Sequence, residues 1–410
     1  MELKKYRLGD IAKVEISGID KKRKEGQQDV LLCNFVDVYY NWAVTKDNES
    51  KFMPATASDS EIESFTLHKG QVAITKDSET RDDIGVATYI ADDFDNLVVL
   101  GYHTALITPD EEQLCGKYLN ALMHSSYFQR YWSNNASGSG QRYTLSQKVI
   151  EDAPVYLPDI DIQREIGEFF ADLDRKLCLN KKENEILEAM AKQVYDYWFV
   201  QFDFPDTNGR PYKTSGGKMV WNETLKREIP EGWEDAPLSE TLDMFDYKRV
   251  PVSSKDRIKG EYPYYGATGI MDYVNDYIFD GEYILLAEDG STNDGFDHPI
   301  VQFIWGKTWV NNHAHILRPK RESDLHFTYY LLKNIPLKNI ESGSIQKKVS
   351  QENLLKHKTL MPDSSIITRY CDLVSPFWDQ YKRLTNEINI LLKMREFILP
   401  LLMTGQVTIG

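Results

Sequence analysis

Cysteine is scarce in this 410-residue chain: Cys33, Cys115, Cys178 and Cys371 stand far apart, and no two form a CxxC pair. That spacing argues against a zinc ribbon or a disulfide framework and points to a reducing cytoplasm. Long apolar runs are missing too. No window approaches the roughly 18 apolar residues that a bilayer span requires. The opening MELKKYRLGDIAKV lacks the apolar core of a secretory signal, which again leads us to expect the cytoplasm. Positive charge is also short, with 48 Lys and Arg against 63 Asp and Glu and a net charge of −15. Such a body repels free DNA at long range. Either the chain binds no nucleic acid, or it carries local basic loops and borrows charge from a partner.

Signatures of covalent chemistry are absent as well. GGKM at 216–219 has neither the upstream glycine spacing nor the Ser/Thr of a phosphate-binding loop. DAPVY at 152–156 is too loose for the Asp/Asn-Pro-Pro-aromatic motif of an amino-methyltransferase. There is no GxGxxG after a strand, no HExxH and no GxSxG. The expectation is a chain with no catalytic residues, metal or cofactor of its own.

What is present is ordinary globular material: 41% hydrophobic and 12% aromatic residues, enough for two or three domains with real cores. It is also duplicated. SGSGQRYTLSQKVIEDAPVYLPD at 137–159 returns in shortened form as SGSIQKKVSQENLLKHKTLMPD at 342–363. Each copy holds a small polar turn, a Gln, a Ser-Gln pair and a closing Pro-Asp, and recurrence at a fixed offset marks a repeated unit. The following stretches align 204 residues apart, placing Ile162 on Ile366, Ile186 on Ile390, Leu187 on Leu391 and Met190 on Met394.

Apolar residues in these stretches recur at alternating intervals of three and four, the period of a coiled-coil seam. The predicted seam comprises Ile166, Leu173, Leu177 and Leu187 on the first helix and Phe377, Leu384, Ile388, Leu391 and Ile398 on the second. The second run also fills Ile366, Tyr370, Leu373, Tyr381, Met394 and Leu401. Each helix is roughly 40 residues, about 60 Å at 1.5 Å per residue. Asn180 and Asn184 interrupt the first seam: either both are solvated near a frayed edge, or a seam Asn fixes register.

Fainter echoes precede these. DSETRD (77–82) resembles DGSTND (289–294), and HTALITP (103–109) resembles HAHILRP (313–319). His103 and His313 have no nearby second ligand, so each reads first as a satisfied core histidine and second as a metal or catalytic group. Short β-rich runs such as QVAIT, GVATYI, YILLA and IVQFIW predict a mixed sheet with long loops. Short helices are expected within 114–132 and 324–335. Residues 204–234, rich in Gly, Pro, Asn and Thr, read as an irregular connector.

The order of these motifs, twice over, resembles the specificity subunit of type I restriction–modification enzymes. The matching stretches are LPDIDIQREIGEFFADLDRKLCLNKKENEILE, IPEGWE, YPYYGATGIMDYV and LLKMREFILPLLMTGQV, and the likeness covers essentially all 410 residues. The chain departs from it where the second helix carries Ile367, Thr368 and Arg369 in place of Gln163, Arg164 and Glu165. The resemblance implies an α+β fold with two mixed α/β target-recognition domains and an internal pseudo-two-fold repeat. It places the domains at 1–158 and 231–362. A long helix at 159–203, a connector at 204–230, and a second long helix with the C-terminal tail at 363–410 complete the layout. The two helices would pair as an antiparallel coiled coil, set the spacer and dock partners.

The same resemblance implies a non-catalytic reader of a bipartite double-stranded DNA target. It implies partnership with methyltransferase subunits, two of them, that use S-adenosylmethionine, and with restriction subunits that use ATP and magnesium. Partner subunits would supply much of the phosphate grip. An interaction scaffold without DNA, or a recognition module for a different DNA methyltransferase, stays open beside this reading. Within the domains, Ser139, Gln141 and Arg142 in one loop, and Ser344, Gln346, Lys347 and Lys348 in the other, offer hydroxyls, amides and cations suited to phosphate. Gln141 and Gln346 could instead read adenine, or merely cap a helix entry. Lys76, Arg81, Lys255, Arg257, Tyr264, Tyr265 and Asn293 complete the candidates for DNA contact.

Overall fold

A helix begins at Ile160 and runs without a break to Tyr195, closing in a single π turn at Asp196–Val200. A second spans Ser364–Met403, its start capped by Asp363, whose Oδ1 accepts the Ser365 N–H at 2.8 Å. The computed structural model describes residues 2–343 and 347–409. Its fold separates into two units, Met1–Lys182 with Leu384–Gly410, and Glu183–Arg383, so each long helix contributes to both. Among the described residues no helix is long and apolar enough to cross a membrane.

In the first unit the main sheet has the order Ala12–Ile16, Thr104–Pro109, Val72–Thr75, Ala87–Ile90, Ala43–Val44. All pairs are antiparallel except the last, which is parallel. A three-stranded sheet of Met53–Ala57, Gln28–Cys33 and Val98–Leu100 lies beside it in the chain order. In the second unit Leu242–Met244, Ala314–Pro319, Tyr283–Ala287 and Val301–Ile304 repeat the first four strands of the main sheet in the same order. The sequence echo HTALITP/HAHILRP is therefore the second strand of each sheet, Thr104–Pro109 and Ala314–Pro319. Each globular part also closes on a short antiparallel ladder, Lys4–Arg7 with Pro154–Leu157 and Glu234–Pro237 with Lys358–Met361. The fold is α+β, built twice.

Within each unit the two helices run antiparallel. In the first, Asp174 faces Arg395 at 3.9 Å while Lys176 faces Glu387 at 3.4 Å. In the second, Tyr370 donates to the Ala191 carbonyl at 3.1 Å and Gln380 donates to Glu183 at 3.2 Å. Ile166, Leu173, Leu177 and Leu384 are buried, and Leu187, Phe377, Ile388, Leu391 and Ile398 are partly so. Asn180 is not solvated: it is 1% exposed and donates to Glu387 at 2.9 Å. Asn184 is buried as well. The departure at Gln163 has a local reason. Its side chain bonds the Cys115 N–H and the carbonyls of Gln113 and Pro158, tying the helix start to the domain, whereas the matching Ile367 is buried among apolar neighbours.

Three expectations need correcting. Leu373 is exposed, while Val374 and Trp378 are buried. There the helix packs on the sheet and on Leu325–Lys333 as well as on its partner helix, so the buried stripe is wider than a two-helix seam and rotated from it. Met394 likewise faces outward. The stretch 204–234 is not irregular: Met219–Asn222 and Arg227–Pro230 form a hairpin. Phe204 stacks on Tyr212 and Trp233, and the last of these is buried in the second unit's core.

Each core also holds a histidine kept neutral by burial. His124 stacks on Trp42 and His326 on Trp378, and desolvation pulls both down to about 4 from an ordinary 6.5. The unfolded imidazoles take up protons first as pH falls. Stability is therefore complete above about pH 6.5 and is lost on the way down to 4, by up to about 3 kcal/mol per histidine. Urea midpoints should drop between pH 7 and pH 5, and the drop should shrink in a His124→Gln/His326→Gln double variant.

Candidate nucleic-acid interface

The opening repeat folds as a hairpin. Ser137–Ser139 pairs with Arg142–Thr144 across a Gly140–Gln141 turn, and the second strand also pairs with Asp77–Ser78. Gly138 sits at φ +128, where an added Cβ would meet the Arg142 carbonyl oxygen at 2.2 Å, so only glycine fits. This small sheet brings together residues far apart in the chain. Ser139, Gln141 and Arg142 are exposed on the hairpin, and Arg81 is exposed on the following loop with its guanidinium 5.1 Å from the Tyr143 ring. Lys76 lies at the base, donating to Asp77 at 2.8 Å.

Asp77 organises the cluster. It also meets His103 Nδ1 at 2.5 Å, with the Arg142 guanidinium 4.0 Å away. Burial works to raise its carboxyl, but hydrogen bonds from Lys76, Thr144 and His103 outweigh it and hold the group at about 2. The anion is thus fixed, and it orients three cationic or donor side chains beside the turn.

The second unit repeats the pair: His313 Nδ1 meets Asp289 at 2.5 Å. Neither His103 nor His313 is a core histidine, since 30% and 47% of their side chains are exposed. They are the surface halves of a duplicated Asp–His pair, and the echoes DSETRD/DGSTND and HTALITP/HAHILRP carried that signal in the sequence. Glu341–Ser342 and Lys348–Val349 form the second hairpin. Lys347 and Lys348 are exposed there, with Lys347 held by Glu341 at 2.9 Å. Ser344 and Gln346 lie outside the described residues.

Elsewhere the second unit distributes the candidates differently. Lys255 is exposed. Asn293 is exposed too, but its Oδ1 accepts the Gly295 and Asp297 N–H groups and so builds its own loop. Tyr264, expected to face DNA, is 1% exposed, with its hydroxyl on the Val252 backbone. Arg257 lies over that ring at 4.4 Å and pairs with Asp272, and Tyr265 packs against the core around Leu285. The stretch YPYYG alternates along a strand, and it is the inward face that carries Tyr264.

One arrangement escaped the sequence reading. Asp246, Glu288 and His315 converge, and the Arg249 guanidinium bonds both carboxylates, at 3.1 and 2.6 Å. His315 meets Asp246 at 2.6 Å and the Val349 carbonyl at 3.0 Å. Two carboxylates facing a guanidinium and an imidazole make an ionic clasp that fastens the base of the second hairpin to the sheet. Its only trace in the sequence is the second His of His-Ala-His.

Two mixed-sheet units of matching strand order, each carrying a small hairpin and an Asp–His pair, define an internally duplicated protein. The family described as the type I restriction modification DNA specificity domain matches residues 1–189 and 230–394, and the chain belongs to it. It is 33% identical over 171 residues to a type I restriction enzyme specificity subunit from Haemophilus influenzae, covering 41% of this chain and 43% of that one. It is 22% identical over 319 residues to the MjaIX specificity subunit of Methanocaldococcus jannaschii, covering 73% and 71%. The first of these matches thus spans less than half of the relative's length. The fold is similar to that of the crystal structure of a type I restriction–modification S subunit from M. genitalium, with a TM-score of 0.59 and 14% identity over 98% of this chain and 96% of that one.

Proposed function

We propose that this chain is the DNA-reading subunit of a type I restriction–modification assembly, each unit reading one half of an asymmetric bipartite duplex target. The observation that carries the reading is the duplicated hairpin, attached to equivalent sheets that each also carry an Asp–His pair. Two half-sites need two readers, and because the hairpins differ in sequence the half-sites differ too. The chain itself performs no catalysis. Methyltransferase subunits supply S-adenosylmethionine chemistry, and restriction subunits supply ATP- and magnesium-dependent cleavage. The long helices set the spacer and dock the methyltransferase. Support for docking comes from the outward apolar side chains Leu373, Ile186 and Met190, and from a groove of about 670 Å³ between Ala189, Tyr197, Trp198 and Leu373.

Binding to a random-sequence duplex pool, across a salt series and with or without the methyltransferase subunit, tests this. Selected sequences should be bipartite, and affinity should fall with salt. Arg142→Ala should weaken binding to all sequences and flatten the log–log salt slope by about 1. Gln141→Ala should relax choice at one base pair, costing about 1–3 kcal/mol there. Assembly with the partner but no DNA binding at any salt would replace the reading with that of a scaffold.

A further inference from the structure

Phe296 is 83% exposed, more than any other large apolar side chain among the described residues. An apolar ring left in water is commonplace on a loose loop, but this loop is built. Asn293 Oδ1 accepts the N–H of Gly295 at 2.7 Å and that of Asp297 at 3.3 Å. Asp294 Oδ1 accepts the N–H of Phe296 at 2.8 Å and that of His298 at 3.2 Å. Asp297 holds φ +64, a conformation that costs energy for a residue with a Cβ and persists only when its surroundings enforce it.

The loop is then fastened on both sides. Ile300 N–H donates to the Thr292 carbonyl at 2.9 Å, Leu337 N–H donates to the Asp297 carbonyl at 2.8 Å, and His298 Nδ1 lies 3.2 Å from the Ile335 carbonyl. It follows the Asp289 of the Asp–His pair, and Leu337, to which it is fastened, stands four residues before Glu341–Ser342, the first strand of the second hairpin. These seven hydrogen bonds hold a bare ring on a loop fastened just ahead of the second hairpin, which is proposed to meet DNA. Residues 289–297 carry carboxylates but no Lys or Arg, so the tip has no cation for phosphate oxygens and its large apolar ring is the group it offers a duplex. Apolar wedges that enter base steps have this character, a rigid mount and a large uncharged side chain. The first unit has no such ring at the matching place: in the register of DSETRD with DGSTND, Phe296 aligns with Ile84, which is buried.

We propose that Phe296 is a wedge that enters a base step in the half-site read by the second unit and unstacks it, so that this half-site is chosen partly by how readily it opens. The proposal rests on the DNA-reading function above. The test uses the full chain assembled with its methyltransferase subunits and the duplex selected by that assembly, carrying 2-aminopurine at successive positions of both half-sites. Fluorescence should rise at one step of the half-site that changes when residues 231–360 are exchanged. The rise should vanish in Phe296→Ala and survive in Phe296→Leu, with affinity falling about tenfold for alanine. Urea midpoints of both variants should match that of the parent chain, because the ring is exposed. If the parent assembly binds its duplex yet no position responds, or Phe296→Ala responds and binds as the parent does, the wedge is wrong and the DNA-reading function stands. Loss of methyltransferase assembly in Phe296→Ala would make the ring a protein contact and overturn the wedge as well. An assembly that binds no duplex removes the wedge together with the function it rests on.

Discussion

Trp378→Ala should unfold the second unit at a markedly lower urea concentration than the parent chain, by about 3–5 kcal/mol of stability. Trp378 is 3% exposed and stands at the centre of the aromatic core. The rings of Phe303, Tyr329, His326 and Tyr381 lie 4.9, 5.0, 5.3 and 5.3 Å from its own. Phe303 belongs to the main sheet, His326 and Tyr329 to the helix Leu325–Lys333, and Tyr381 to the long helix itself. One side chain thus joins the main sheet of the second unit to the helix that leaves it. Its Nε1 finds no hydrogen-bond partner among the described residues, so Trp378→Phe gives up area but sheds an unpaired donor and should cost far less. The same truncation wets His326, which should then titrate closer to its ordinary range, and acid unfolding of this unit should lose part of its pH dependence. Denaturation followed by circular dichroism at pH 7 and pH 5 reads both effects. A midpoint that barely moves in Trp378→Ala would show that the helix is held by something other than this cluster.

How much of this was visible beforehand follows from the range of the forces involved. The repeat, the long helices and the small polar turns were legible because they depend on local signals: a fixed offset, a 3-4 apolar interval, small residues in a row; that the turns close β-hairpins was not. Leu373 misled because a third layer, Leu325–Lys333 with the sheet behind it, decides which face of the helix is inside, and no local period encodes that. Asn180 stayed open between a solvated edge and a buried seam position, and the structure buries it. A polar residue in an apolar stripe looks solvated until Glu387, 207 residues later, is seen to accept its amide. Tyr264 and Arg257 look like DNA-contacting groups in isolation, yet each completes the other through a ring–guanidinium contact. The ionic clasp at Asp246, Arg249, Glu288 and His315 draws on three distant segments and could only be found in three dimensions.

Exchanging residues 231–360 for those of another family member should change one half of the recognised DNA sequence and leave the other half intact. The cut is favourable for a physical reason. Glu234 pairs with Met361 and Pro237 with Lys358, so the exchanged segment enters and leaves the fold across a four-residue antiparallel ladder. Its ends already sit at strand-pairing distance, and no long loop has to be closed to accept it. The segment carries the second hairpin, the clasp that fastens it, the Asp289–His313 pair and Phe296, so every group proposed to read that half-site travels with it. The first hairpin, with Lys76, Arg81, Gln141 and Arg142, stays in place on Asp77. What the segment does not contain is Trp378, Val374 and Tyr370, which its own Phe303, Phe327, Tyr329 and Tyr330 pack against. Donors that keep rings at those four places should therefore fold and assemble. Donors that replace them with small residues should lose stability in proportion to the cavity left against Trp378, at about 2–5 kcal/mol for a large side chain. Selection of bound duplexes from a random pool, run in parallel with urea denaturation, separates the two effects. If both half-sites change in a hybrid of parental stability, the units do not read independently. If neither changes, the hairpin and its Asp–His pair are not the reader.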